Sequence, residues 1–226
     1  MAASGDLLAL ARAHRAAVTA LSWREIGARA ATTGVVAVDM LMGFARLGPL
    51  ASPRVDALVE PLTAFLEGLA ACGVRASWRL EDEHTPDAGE FAVYPPHCLK
   101  GTPEAEPLPE LLTAALFRAA TRVPKNALSA FDRFDLEAAA HAAGLSRLLV
   151  VGDCTDLCVE ACALPLRLYA NARGHALEVV VVENLVDTFD APGHPGDDSH
   201  ALALYRMAQN GVVVARAPEG APPPPA

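Results

Sequence analysis

Short, uniformly apolar segments alternate along this chain with longer amphipathic ones, and no other feature of the sequence constrains the fold as much. Strands that are apolar on both faces are typical of a parallel sheet covered by helices on both sides. Crossovers between such strands are right-handed. The alternation therefore predicts an α/β fold with three layers, in which a doubly wound, mainly parallel six-stranded sheet carries helices on both faces. The predicted strands are Gly34–Asp39, Val74–Trp78, Thr121–Val123, Leu148–Gly152, Glu178–Glu183 and Val212–Ala215.

The rest of the chain divides into helices, two terminal segments and one long loop. The 226 residues fit a single domain, which we expect at residues 34–216, after an N-terminal helical extension at residues 1–33. Residues 217–226 are rich in proline and are predicted to form a disordered tail. Residues 79–107 exceed the usual length of a connection, and their His, Asp and Glu content favours a functional loop. The helices are expected at about Pro53–Cys72, Pro109–Ala119, Leu136–Ala143, Leu157–Ala172 and Asp198–Gln209.

Charge and cysteine content argue against several classes of protein. A net charge of −9 and a pI near 5.2 disfavour binding to nucleic acid, which needs clustered Lys and Arg. No apolar stretch has the length of a membrane span, and Asp6 and Arg12 interrupt the segment where a signal peptide needs an apolar core. Cys154, Cys158 and Cys162 recur every four residues, a spacing that suits disulfide geometry poorly. We therefore expect a reduced, cytoplasmic compartment, with no nucleic-acid partner and no membrane.

Reactive side chains follow four of the predicted strands at their carboxyl ends, where open parallel sheets bind ligands. Because these ends meet at one edge of a sheet, we expect the side chains to share one crevice. In chain order they are Asp39, then Asp82, His84 and His97 in the long loop, then Lys125, and finally the segment from Asp153 to Cys158.

Three of these residues suit nucleophilic hydrolysis. Cys158 opens a helix after a strand and a tight turn, so the helix dipole is expected to lower the pKa of its thiol, and backbone N–H groups there could form an oxyanion hole. Asp39 leaves an apolar strand, where burial would raise its pKa and suit it to proton transfer. Lys125 could keep an aspartate ionised. Each has a common structural alternative, namely a small buried cysteine, a turn aspartate and a surface lysine.

Asp82, His84 and His97 form a candidate metal site. One carboxylate and two imidazoles suit Zn²⁺, Fe²⁺ or Mn²⁺ and leave coordination positions open for water or substrate. The alternative is a pair of solvated loop histidines. The paired Cys-x-x-Cys spacing of structural zinc sites does not occur in the sequence.

Five short motifs occur in one order along residues 34–215, and together they resemble the nicotinamidase/isochorismatase-like cysteine hydrolases, closest to the metal-binding nicotinamidase branch. They are D-x-x-x-x-F from Asp39 to Phe44, D-x-H at Asp82 and His84, Y-P-P-H-C-x-x-G-T from Tyr94 to Thr102, K-x-x-x-S-A-F from Lys125 to Phe131, and G-x-x-T-D-x-C-V from Gly152 to Val159.

The resemblance implies a role for each residue of the crevice. Cys158 would be the nucleophile, Asp39 the base and Lys125 the third member of a triad. A cis peptide bond between Asp153 and Cys154 would turn the backbone N–H of Cys154, with that of Cys158, toward an oxyanion. The resemblance further implies a metal site at Asp82, His84 and His97, and substrate contacts at Phe44, Tyr94 and Phe131.

The implied reaction is the hydrolysis of nicotinamide to nicotinate and ammonia through a thioester, with one divalent metal ion. Zinc is the expected ion, and iron or manganese are the alternatives. A related amidase acting on another small amide is a second reading, because Leu41 and Met42 stand where nicotinamidases commonly carry Gln and Asn. A catalytically inactive metal-binding relative is a third reading, and a zinc hydrolase without a cysteine nucleophile would leave Cys158 and Lys125 without roles. The resemblance also implies a homo-oligomer.

Overall fold

Six strands form one sheet in which every neighbouring pair is parallel. The computed structural model describes residues 6–222. The strands are β1 (Thr33–Val38), β2 (Ala76–Asp82), β3 (Thr121–Lys125), β4 (Arg147–Asp153), β5 (Glu178–Asp187) and β6 (Val213–Ala215). Their order across the sheet is β3-β2-β1-β4-β5-β6, so the winding reverses between β1 and β4. Ligands of open α/β sheets bind at such a reversal, beyond the carboxyl ends of the strands.

Helices cover both faces of the sheet, which confirms the predicted three-layer α/β fold. One face packs against α4, α5 and α6, and the other against α7, α8 and α9. The helices are α1 (Leu7–Ala16), α2 (Trp23–Ala28), α3 (Met42–Ala45), α4 (Pro53–Asp56), α5 (Val59–Ala71), α6 (Ala115–Arg118), α7 (Leu136–Ala142), α8 (Glu160–Arg173) and α9 (Gly196–Gln209).

The two faces of each central strand explain why these strands are apolar throughout. Successive side chains of a strand point to opposite faces, so Val35 packs in the core beneath α5 while Val36 packs in the core beneath α8. Leu148 and Leu149 of β4 divide between the two cores in the same way. A strand covered on both sides has no solvated face, and polar residues are therefore absent from its middle.

Gly152 allows β4 to lie unusually close to β1 at the reversal of the winding. Its φ is +110°, and a Cβ atom built there would overlap the carbonyl oxygen and the nitrogen of Val38. Any other residue at this position would therefore push apart the two strands that carry Asp39 and the segment leading to Cys158.

Several predicted boundaries are wrong, each for a physical reason. Strand β2 runs on to Asp82 instead of ending at Trp78, because its charged Glu81 is paired with Arg79 and Arg122, so the long loop begins at residue 83. The predicted helix Pro53–Cys72 is two helices, α4 and α5. The predicted helix Pro109–Ala119 consists of a 3₁₀ turn followed by the short α6.

Helices α1 and α2 precede the sheet, within the segment predicted as an N-terminal extension. Helix α1 packs against α9, and its Arg15 forms an ion pair with Glu183 at 2.6 Å. At the start of α2, the Trp23 indole N–H donates to the carbonyl oxygen of Gly220, near the C-terminal end of the described residues. Residues 1–5 of the predicted extension and 223–226 of the predicted tail lie outside the described residues. No helix within residues 6–222 has the length and apolar character of a membrane span.

Candidate active site

The segment after β4 carries Cys158 through an unusual turn. The peptide bond between Asp153 and Cys154 is cis, as the resemblance implies. One π-helical turn, Thr155–Val159, then leads into α8, and π-helical turns are frequent at functional sites. The Thr155 hydroxyl lies 2.8 Å from Nδ1 of the buried His200 on α9, so a second helix holds this turn in place.

Lys125 lies at the centre of the predicted triad and is completely buried. Its Nζ is 2.7 Å from Oδ2 of Asp39 and 2.6 Å from Oδ1 of Asp82, and it donates to Sγ of Cys158 at 3.5 Å. Asp39 has a φ of +51°, in the left-handed region that Asp tolerates better than most residues. Its Oδ1 accepts the backbone N–H of Asp82 at 2.8 Å. The structure therefore brings together all three predicted triad residues, from the ends of β1 and β3 and from the turn after β4.

The burial of these groups sets their protonation. Desolvation and the nearby Asp82 carboxylate raise the pKa of Asp39 to about 7, although Lys125 opposes the shift. Burial also raises the pKa of the Cys158 thiol well above its usual value. The predicted lowering of this pKa by the helix dipole is therefore wrong, because desolvation outweighs it. Burial would lower the pKa of Lys125, but the carboxylates of Asp39 and Asp82 raise it well above its usual value. At neutral pH the thiol is protonated and the lysine is charged.

Asp82, His84 and His97 lie together beside the triad, and the hydrogen bonds of the two histidines leave their Nε2 atoms free to bind a metal ion. The three side chains are buried, and one potential ligand atom from each lies within 4.8 Å of the others. Nδ1 of His84 lies 3.2 Å from Oδ1 of Asn126, and Nδ1 of His97 lies 2.9 Å from the carbonyl oxygen of Pro95. Both acceptors require a proton on Nδ1, which leaves the Nε2 lone pairs free to bind a metal.

The Nε2 atoms of both histidines face Asp82. They lie 3.4 Å (His84) and 3.7 Å (His97) from its carboxylate oxygens, and Nε2 of His84 is buried without a hydrogen-bond partner. A divalent ion with three such ligands would satisfy this atom. A second group, Asp39, Asp82 and Cys158, is equally close, but the Lys125 ammonium already supplies its positive charge.

Glu90 and Asn126 belong to this site, and the sequence reasoning missed them. Oε2 of Glu90 lies 3.6 Å from Nε2 of His84 and is itself buried without a partner, while its other oxygen accepts the backbone N–H of Leu128. Asn126 directly follows Lys125, so its place at the end of β3 was available as a signal. Glu90 lies in a 3₁₀ turn of the long loop, Gly89–Ala92, and no spacing rule pairs it with His84.

A narrow crevice of about 30 Å³ opens beside Cys158. Phe44 and Tyr94 line it as expected, with ring centroids 5.4 Å and 6.4 Å from that of His97. Phe131 is not among the residues that line it, and its contact with substrate stays a prediction. The turn after β3 directs this ring onto Tyr169 of α8, with the centroids 5.3 Å apart.

Leu41 and Met42, which stand where nicotinamidases commonly carry Gln and Asn, lie outside the crevice. Leu41 is fully buried in the core beneath α5, and Met42 packs against the same core at the start of α3. Neither side chain lines the crevice. Their apolar character is therefore explained by packing.

The crevice opens into a larger cavity of about 320 Å³, here named the vestibule. Both cavities are lined by Phe44, Leu50, Tyr94, Cys154 and Leu157. The remaining wall of the vestibule consists of the segment Pro49–Arg54 and the segment Phe189–Ala191.

Arg54 on the vestibule wall is already neutralised. Its guanidinium lies 2.7 Å from Asp187, 3.4 Å from Asp190 and 3.0 Å from Asp197, and it donates to the carbonyl oxygen of Thr188. Arg54 is the one Lys or Arg side chain that lines the vestibule or the crevice in the described part of the chain. The vestibule therefore offers no free Lys or Arg side chain to a negatively charged ligand.

Comparison with known proteins agrees with this arrangement. The chain is 27% identical over 215 residues to nicotinamidase 1 of Arabidopsis thaliana, covering 82% of this chain and 86% of the relative. It is 28% identical over 185 residues to maleamate amidohydrolase of Pseudomonas putida, covering 79% of this chain and 81% of the relative.

Solved structures share the fold. The pyrazinamidase of Pyrococcus horikoshii in complex with zinc matches 82% of this chain and 99% of its own, with a TM-score of 0.67 and 24% identity. The N-carbamoylsarcosine amidase of Thermoplasma acidophilum matches 82% and 96%, with a TM-score of 0.64 and 24% identity.

The family is shown by a match of residues 33–219 to the isochorismatase domain. This range contains all five sequence motifs and the whole candidate site. The chain therefore belongs to the isochorismatase-like hydrolases, the cysteine hydrolase superfamily that its motifs resemble.

Proposed function

We propose that this protein hydrolyses nicotinamide to nicotinate and ammonia, through a thioester on Cys158 and with a divalent metal ion bound beside it. The observation that carries the proposal is the double role of Asp82. One of its oxygens contacts Lys125 of the triad, and its carboxylate also faces both histidines. The acyl-transfer machinery and a metal site are therefore joined at one carboxylate, next to a single crevice.

The protonation states support a definite sequence of proton transfers. Asp39, with a pKa raised to about 7, takes the proton from the Cys158 thiol, and the thiolate attacks the amide carbon. The protonated Asp39 then returns the proton to the amide nitrogen, the C–N bond breaks, and ammonia leaves. Water attacks the thioester with Asp39 again as the base, and nicotinate and the free thiol are formed. Lys125 stays charged throughout and stabilises the ionised forms of Asp39 and Cys158.

The metal would be held by Asp82, His84 and His97, with Glu90 as the nearest further donor. Two imidazoles and a carboxylate suit zinc, and also iron or manganese. When bound, the ion supplies a Lewis-acid position that a pyridine nitrogen can occupy. Phe44 and Tyr94 would then contact the faces of the ring, and the backbone N–H groups of Cys154 and Cys158 would bind the oxyanion.

The neutralised Arg54 favours an uncharged amide. Maleamate carries a carboxylate, and a site for such a substrate needs a free cation to bind it. Arg54 instead contacts three aspartates, so a substrate carboxylate that lies in the vestibule would meet negative charge without a free guanidinium to bind it. This distinguishes the nicotinamide proposal from an activity like that of the maleamate amidohydrolase relative.

The test is ammonia release from nicotinamide by metal-replete protein, compared with the Cys158→Ala variant. Cys162→Ala is the matched control, since Cys162 is also buried and lies one helical turn further on. We expect rapid release by the wild type and the control, and none by Cys158→Ala. Intact mass spectrometry of acid-quenched reactions should show an acyl adduct only where Cys158 is present. Equal activity in Cys158→Ala would refute the cysteine mechanism, and release from other amides only would refute nicotinamide as the substrate.

A further inference from the structure

We propose that the vestibule is a second substrate subsite, which binds an uncharged apolar substituent on the ring of an aromatic amide. The proposal rests on the proposed function, because it assumes that the amide reacts at Cys158. It adds that substrates larger than nicotinamide are hydrolysed, and that they extend from the crevice into the vestibule.

The vestibule and the crevice are continuous. Phe44, Tyr94 and Leu157 line both, so a ring held between Phe44 and Tyr94 already lies at the entrance of the larger space. Cys154, which carries the proposed oxyanion donor, also lines both cavities. A substituent on the ring can therefore enter the vestibule without moving the amide away from Cys158.

The size of the vestibule exceeds what an entrance for nicotinamide requires. Its volume of about 320 Å³ lies within the range of roughly 300–1,000 Å³ that is typical of pockets enclosing whole small molecules. The crevice at Cys158 measures about 30 Å³. Most of the enclosed space next to the reacting groups is thus on the vestibule side.

The walls of the vestibule select apolar groups. Leu50, Leu157 and Phe189 face it together with the rings of Phe44 and Tyr94. Its only basic side chain, within the described residues, is the neutralised Arg54. An alkyl or aryl substituent would gain hydrophobic contacts here, whereas a carboxylate would meet Asp190 without a free cation.

The outer wall is fixed to the turn that carries Cys158. Nε2 of His194 lies 2.7 Å from Oδ2 of Asp156, and its Nδ1 lies 2.9 Å from the carbonyl oxygen of Phe189. The His194 ring also stacks on the Phe189 ring, with centroids 4.0 Å apart. The vestibule is therefore a preformed cavity, and little ordering is needed when a substituent enters it.

The experiment compares kcat/KM for nicotinamide with that for nicotinamides bearing methyl, propyl, phenyl or carboxyethyl groups at ring carbons 4, 5 and 6. Burial of each methylene contributes about a fourfold gain. For one ring position we expect kcat/KM for the propyl compound to exceed that for the methyl compound by at least tenfold, and kcat/KM for the carboxyethyl compound to fall below that for the methyl compound.

Ala191→Trp and Ala51→Trp place a bulky ring at the vestibule wall and should lower kcat/KM for the propyl compound at least tenfold more than for nicotinamide. Ala172→Trp, at an exposed position of α8, is the control and should change neither value.

Two outcomes would overturn the subsite. One is that propyl lowers kcat/KM at all three positions while nicotinamide is hydrolysed well. The other is that the two wall variants lower kcat/KM equally for nicotinamide and for the propyl compound.

If nicotinamide itself is not hydrolysed, the proposed function fails. The subsite is then tested by calorimetry, which measures the binding of 3-methyl- or 3-propylbenzamide to Cys158→Ala. Tighter binding of the propyl compound, lost in the double variant with Ala191→Trp, supports the subsite, and equal binding refutes it.

Discussion

The triad residues, here named the triad side, and the metal residues, here named the metal side, meet at Asp82 and are held in place by different means. Lys125 ends the edge strand β3, and Asp39 directly follows the buried strand β1, so pairing of both strands with β2 fixes their positions. His84 and His97 belong to the loop after β2, outside the sheet. Asp82, the last residue of β2, joins the two sides because it contacts Lys125 and faces both histidines.

On the metal side, local hydrogen bonds position the loop that carries His84 and His97, in place of the pairing of sheet strands. The N–H of His84 donates to the carbonyl oxygen of Cys98, and the N–H of Lys100 donates to that of His84, so a short parallel bridge extends β2 past its end. The Glu104 carboxylate accepts the N–H of Cys98, whose φ is +42°. The comparison indicates that changes on the triad side should affect stability and catalysis together, whereas changes on the metal side should affect metal binding with little loss of stability.

The largest effect is expected for Lys125→Met. This change leaves Asp39 and Asp82 buried without their counter-ion, which should lower the free energy of unfolding by about 3–5 kcal/mol and kcat by roughly 10³- to 10⁴-fold. Urea unfolding and ammonia release measure the two effects. Lys100→Met removes an exposed lysine and serves as the control. A stable Lys125→Met protein with near-normal kcat would show that the triad side does not depend on this charge.

A smaller loss of activity is expected for His97→Ala, without the loss of stability. Removal of one of the three proposed metal ligands should lower the amount of bound metal and reduce kcat/KM by roughly 10²- to 10³-fold. The reason is that the pyridine nitrogen of nicotinamide would lose the metal ion proposed to bind it. Metal content by plasma mass spectrometry, kcat/KM and thermal unfolding would be measured on the same preparations. His141→Ala, which removes an exposed histidine of α7, is the control. Full metal occupancy in His97→Ala would exclude this residue as a ligand.

Asn126→Ala tests the link between the two sides, because Asn126 follows β3 and orients His84 of the loop. Loss of a residue that orients a ligand typically costs about 10- to 100-fold in metal affinity. Competition with a chelator measures this affinity, and Asn210→Ala at an exposed turn is the control. If the two variants retained equal affinity, the orientation of His84 would not depend on Asn126.

The same comparison explains how much of the molecule could be predicted from the sequence. The parallel sheet and the convergence of Asp39, Lys125 and Cys158 follow from apolar strands and from the rule that their carboxyl ends share an edge. The protonation of Cys158 could not be predicted this way, since burial depends on the tertiary packing around the π-helical turn. The boundary of β2 was misplaced because ion pairs to Glu81, formed with β3, make a charged strand end acceptable.

The loop side was less predictable from spacing. The D-x-H motif placed Asp82 and His84 together, whereas His97 joined the same candidate site only because it lies in the same long loop and is a typical metal ligand. Glu90, in a short 3₁₀ turn, and the vestibule residue Phe189, in an irregular segment, were missed because the contacts to Leu128 and His194 that hold them have no sequence pattern. The motif that contains Phe131 does not specify where its ring points, and the turn after β3 directs that ring to Tyr169.

The smallest expected effect is the pH dependence, and it assigns the titrating base to one side of the crevice. With a pKa raised to about 7, Asp39 is mostly protonated below neutrality and cannot accept the thiol proton. We therefore expect kcat/KM to fall about tenfold for each pH unit below 7 and to level off above it. The profile would be measured with zinc and again with manganese, with folding checked by circular dichroism at each pH. If kcat/KM begins to fall at the same pH with zinc and with manganese, the result supports Asp39 as the titrating base, since Asp39 is not a ligand of the ion. If that pH differs between the two metals, the titrating group belongs to the metal side instead.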